Sequence, residues 1–124
     1  MPEQEIRFCT AGDARVAYAT VGSGPALLLP ALWVSHLELE WGFADFRDFI
    51  GALARDRTVV RYDRIGTGLS DRPPSPEISV DAEVRTIAAV ADAAGLADLS
   101  LIGISWGSCS AAAFAAALDR KSVV

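Results

Sequence analysis

The chain has 124 residues, 52% hydrophobic and 22% charged, a balance that supports one globular domain and excludes disordered and fibrous classes. Eleven basic residues stand against 16 acidic ones for a net charge of -5, which works against the phosphate neutralisation that nucleic-acid binding requires. The apolar runs 26–34 and 111–118 are too short to cross a bilayer, so no membrane association is expected. Two stretches that alternate inward and outward residues, Ile6–Thr10 and Arg15–Val21, flank the turn Ala11-Gly12-Asp13-Ala14 and predict an antiparallel hairpin. Ala26–Pro30, behind a Gly22–Pro25 loop, is continuously apolar, as expected of a strand buried on both faces. A long loop, Ala31 to about Trp41, leads into a helix whose inner face carries Phe43, Phe46, Ile50 and Leu53.

Thr58–Tyr62 is predicted as the next strand, and the glycines and prolines from Asp63 to Pro76 as a loop. Ser79 is placed to cap a helix with Val80, Val84, Ile87 and Ala91 inward, and Gly95 to end it. Leu99–Ile104 then reads as a buried strand and Gly107–Leu118 as a last helix. A hairpin followed by alternating strands and helices predicts an α/β fold with a parallel sheet. The Met-Pro-Glu-Gln-Glu start has neither a basic nor an apolar leader, so a cytoplasmic location is expected. Cys9 and Cys109, a hundred residues apart, are expected to be small core residues rather than a disulfide.

The informative motif is Gly103-Ile104-Ser105-Trp106-Gly107, a G-x-S-x-G pattern where a buried strand gives way to a helix. Such a turn forces its serine into a strained conformation, and small residues two places to either side let strand and helix approach closely. Ser105 would then stand at a helix N-terminus, where backbone N–H groups stabilise developing negative charge. Set beside this reading is a plain one, a serine capping the helix. Gly66-x-Gly68 lacks the third glycine of a dinucleotide loop, and the single lysine, Lys121, leaves no Walker A sequence, so no cofactor and no metal are expected.

With these residues the chain resembles the α/β-hydrolase family over essentially its whole length. Tyr62-Asp63-Arg64-Ile65-Gly66-Thr67-Gly68-Leu69-Ser70-Asp71 is similar to the family's Asp-x-Arg-Gly-x-Gly-x-Ser loop, with Ile65 where the arginine would stand. The resemblance implies a structural loop in which Gly66 and Gly68 make tight turns and Asp63 holds the backbone. Trp33-Val34-Ser35-His36-Leu37-Glu38 and Trp41 resemble hydrolase domains fused to adenylate cyclase or transcription-regulator modules. The family resemblance further implies Ser105 as nucleophile, with the backbone N–H groups of Trp106 and Trp33 as oxyanion donors, and a sheet order 1-2-4-3-5-6. A serine at this position sets the chain apart from the dehalogenase and epoxide-hydrolase branches, which use aspartate.

His36 is the one histidine, and it precedes Ser105, whereas the family's acid and histidine follow the nucleophile. It is therefore expected as a loop residue at the pocket mouth, with Asp119 the one acid beyond Ser105. The expectation is a partial hydrolase domain, residues 1–124, stopping before the sixth strand, the lid, the catalytic acid and the histidine. Its substrate would be an ester, lactone or similar carbonyl compound, with these residues alone inactive. The alternatives are a non-catalytic ligand-sensing module and a fragment without function of its own. Strand Leu99–Ile104, apolar and uncharged, would offer an exposed edge for self-association.

Overall fold

A computed structural model describes residues 3–117. The hairpin forms from β1 (Glu5–Ala11) and β2 (Ala14–Gly22), paired from Glu5 opposite Thr20 to Ala11 opposite Ala14, with Gly12 at φ 61° in the connection. β3 (Ala26–Leu29) and β4 (Thr58–Tyr62) lie parallel, and β2 joins β4 antiparallel, Tyr18 facing Tyr62. With β5 (Leu99–Leu101) parallel to β3, the sheet runs β1-β2-β4-β3-β5. This is the mixed sheet expected, except that β5 stops three residues short of Ile104. Among the described residues β1 and β5 are the edge strands.

Side chains on β3 and β4 alternate between two cores, which is why both strands read as continuous apolar runs. Leu27, Leu29 and Val59 pack beneath α2 (Ala44–Leu53), with Ile50 wholly buried. Leu28 and Val60 face the other side, against α3 (Val80–Ala93) and α4 (Trp106–Ala117), where Ile87, Val90, Ala111 and Phe114 close the larger core. The result is a three-layer α/β/α arrangement with the carboxyl ends of β3, β4 and β5 together on one rim.

Three local expectations are corrected. The loop after β3 contains a one-turn helix, α1 (Leu37–Glu40). Phe43 precedes α2 as its N-cap residue and is 67% exposed rather than inward. Cys109 lies on the exposed side of α4, while Cys9 packs half-buried against the larger core. Asp119 and the segment 118–124 lie outside the described residues. No helix among the described residues is long and apolar enough to cross a membrane.

On α3, Ser79 caps as expected, its hydroxyl accepting from the Ala82 N–H at 3.0 Å. The inward face also carries Glu83, which accepts a 2.9 Å hydrogen bond from the Tyr62 hydroxyl. Burial raises the Glu83 carboxyl above its ordinary range, outweighing the opposing hydrogen bond from Tyr62 and the charge of Arg64. The folded state therefore binds this proton more tightly than the unfolded chain, and Glu83 costs stability as pH rises from the ordinary carboxylate value through its raised one. Glu83→Gln keeps an acceptor for Tyr62 and removes that cost. In urea unfolding at pH values between about 4 and 7, the variant is expected to gain on the parent with rising pH. A parent advantage that grows with pH would contradict the assignment.

Candidate active site

The backbone bond from the Ile102 N–H to the Leu28 carbonyl, 3.1 Å, carries the chain past the end of β5 and then lets go. Ser105 follows at φ 53°, the one non-glycine residue with positive φ among the described residues, and α4 begins at Trp106. The left-handed conformation costs an L-residue on the order of 1–2 kcal/mol, so neighbours must impose it. The Gly107 N–H bonds to the Ile104 carbonyl at 2.9 Å, and Ser108 donates to the Ser105 carbonyl through both its N–H, at 3.0 Å, and its hydroxyl, at 2.6 Å. The glycine spacing has a steric cause. A Cβ at Gly103 would stand 2.6 Å from the Cα of Ser108, and one at Gly107 would stand 2.8 Å from the Pro30 carbonyl oxygen. Ser105 itself is exposed, on the rim where the strands end.

Two consecutive residues at the end of β4 hold the loop that follows β3. Asp63, fully buried, accepts from the Ser35 hydroxyl at 2.7 Å on Oδ1 and from the Leu37 and Leu69 N–H groups at 3.2 and 2.8 Å on Oδ2. Gly68, at φ 54°, passes so close that any Cβ would overlap this carboxylate. Ser70 fastens the loop that follows β4 to β2, accepting from the Ala17 N–H and donating to the Asp63 carbonyl. Gly66, at φ 97°, bonds through its N–H to the Asp71 carbonyl at 2.8 Å. Arg64 donates through Nε and Nη2 to the Trp33 carbonyl at 3.1 and 2.9 Å, and its guanidinium stacks 4.6 Å from the centre of the Trp33 ring. The Trp33 and Trp106 rings meet edge to face at 5.0 Å, bringing together the two residues proposed as oxyanion donors.

His36 sits at a helix start instead of at Ser105: its Nδ1 accepts from the Leu39 N–H at 3.1 Å, capping α1. A cavity of about 70 Å³ opens on the rim between Leu29, Pro30, Leu32, Phe46, Arg61 and Ile104, and His36 does not line it. Arg61 is buried in β4, paired with Glu40 at 2.9 Å, bonded to Gln4 and stacked on Phe46. Burial raises the Glu40 carboxyl and lowers the Arg61 guanidinium despite their pairing. Sequence reading passed over this pair and Arg64, although an arginine between Val60 and Tyr62 in a strand buried on both faces signals a partner elsewhere in the chain.

Comparison with known proteins agrees with this fold. A family profile described as alpha/beta hydrolase fold matches residues 27–123. Pyrrolizixenacetamide deacetylase of Xenorhabdus hominickii is 34% identical over 85% of the chain and 37% of its own length. Haloalkane dehalogenase 2 of Mycobacterium tuberculosis is 36% identical over 83% of the chain and 34% of its own length. Among solved structures, epoxide hydrolase VrEH1 of Vigna radiata superposes with a TM-score of 0.81 at 24% identity, over 97% of this chain and 36% of that one. The chain thus spans about a third of the length of these relatives.

Proposed function

The chain belongs to the α/β-hydrolase fold family, and from that premise we propose that Ser105 is the nucleophile of a serine hydrolase acting on an ester, lactone or similar carbonyl substrate. The observation that carries the proposal is the backbone of Ser105, held at φ 53° between two glycines that steric contact requires, with its side chain exposed at the start of α4. Strain of this kind persists only where the surroundings impose it, and here it presents a hydroxyl at the positive end of a helix. In the proposed step Ser105 Oγ attacks the carbonyl carbon, and the backbone N–H groups of Trp106 and Trp33 receive the oxyanion. The leaving group departs with the electron pair of the broken bond, the hydroxyl proton passes to solvent, and the acyl group stays on Ser105. The relatives' names cover more than one reaction, deacetylase and dehalogenase among them. A hydroxyl at position 105 supports acyl transfer. The same proposal takes in the resemblance of Trp33–Glu38 and Trp41 to hydrolase domains joined to cyclase or transcription-regulator modules, and a small-molecule substrate as the partner.

A second reading, a ligand-sensing module without turnover, is favoured by one observation: the His36 Nδ1 is committed to capping α1. The two readings part in one experiment. With p-nitrophenyl acetate, these 124 residues as a nucleophile without an assigned base are expected to release a single p-nitrophenolate per chain. The acetyl group remains on Ser105, and Ser105→Ala abolishes the release. No acetylation at all would favour the sensor. Repeated turnover lost in both Ser105→Ala and His36→Ala would make His36 the base.

A further inference from the structure

We propose that Arg64 is a positioning residue that couples the loop after β3 to the serine turn. This rests on the reading of Ser105 as nucleophile with Trp33 and Trp106 beside it. Arg64 holds Trp33 in two ways that a lysine cannot reproduce together: a forked pair of hydrogen bonds to its carbonyl, at 3.1 and 2.9 Å, and a planar stack on its ring at 4.6 Å. Trp33 in turn presses edge to face on Trp106, the residue next to Ser105 in the chain. The three side chains form one stack that runs from the end of β4, over the loop after β3, to the first residue of α4.

The adjacent Asp63 holds the same loop further along, at Ser35 and Leu37. Two neighbouring side chains of β4's exit therefore fix positions 33, 35 and 37, and only Arg64 reaches the residue that touches the serine turn. Arg64 is 8% exposed, and its third nitrogen, Nη1, makes a long contact, 3.4 Å, with the Ile65 carbonyl. Its hydrogen bonding is thus spent mainly on Trp33. A side chain placed to stiffen a surface loop alone would need no contact with the ring that meets Trp106.

The test compares the protein with its Arg64→Lys and Arg64→Met variants, using two readings. One is the near-ultraviolet circular dichroism of the coupled tryptophan pair, with Trp33→Phe as the reference for its loss. The other is the rate at which an alkyl fluorophosphonate modifies Ser105, followed by intact mass. In that reaction the Oγ–P bond forms, the P–F bond breaks, fluoride leaves with its electron pair and the hydroxyl proton passes to solvent. Both variants are expected to lose the tryptophan signal and to slow Ser105 modification at least about tenfold, a part of the 10²- to 10³-fold effect of losing one oxyanion donor outright. Modification within twofold of the parent, or an unchanged tryptophan signal, would overturn the proposal. If the parent is not modified at Ser105, the nucleophile reading fails by itself. The tryptophan signal then decides on Arg64 alone, its loss in Arg64→Lys supporting the coupling and its retention overturning it.

Discussion

Asp63→Ala is expected to lower the stability of the protein by about 3–5 kcal/mol, a large fraction of the roughly 5–15 kcal/mol of an ordinary domain. The carboxylate is fully buried and accepts three hydrogen bonds, from the Ser35 hydroxyl and from the N–H groups of Leu37 and Leu69. Removing it leaves buried donors with no acceptor, which costs more than the bonds themselves contribute. It also opens a void against Gly68, whose missing side chain leaves the space that the carboxylate fills. Asp63→Asn behaves differently. One amide oxygen can still receive the Leu37 and Leu69 N–H groups, and the Ser35 hydroxyl can turn to accept from the new NH₂. That variant is expected to lose only about 1–2 kcal/mol. Urea unfolding followed by tryptophan fluorescence measures both, and an Asp63→Ala loss below about 1 kcal/mol would contradict this account of the loop.

Local chemistry explains what could be read in advance. The hairpin was legible because alternation along Ile6–Thr10 and Arg15–Val21 meets a turn with Gly12, which adopts the left-handed conformation at φ 61°. The serine turn was legible because its glycines answer to contacts at fixed short offsets, with Ser108 and Ala111 on one side and the Pro30 carbonyl on the other. What escaped depends on distant parts of the chain. Arg61 meets Glu40 and Gln4 across 21 and 57 positions, and Tyr62 meets Glu83 across 21. Nothing periodic encodes such pairs. Helix α4 carries alanine on several sides, so its pattern does not say which face is inward, and Cys109 was assigned to the wrong one. Phe43 fits the helical spacing of Phe46 and Ile50, yet it comes one residue before α2 begins, where the extended cap conformation turns it to solvent. Short β5 reflects a related effect: Gly103 and the turn at Ser105 take the chain out of the sheet before its apolar run ends.

The claim that organises these observations is that strain at Ser105 serves a reactive hydroxyl. Strain and reactivity can be separated by substitution. Ser105→Gly adopts φ 53° without the penalty borne by an L-residue, and is expected to stabilise the protein by about 1 kcal/mol while removing the hydroxyl. An unassisted hydroxyl is a weak nucleophile, but preorganised oxyanion donors and binding alone can leave about 10³- to 10⁴-fold acceleration over water. That margin is enough to single out one serine. The most direct measurement is therefore peptide mapping by mass spectrometry after hours of exposure to an alkyl fluorophosphonate at mildly alkaline pH. The account predicts one phosphonate per chain, on the peptide carrying Ser105, and none on Ser105→Gly. An unmodified Ser105, or an adduct spread over the other serines, would contradict it.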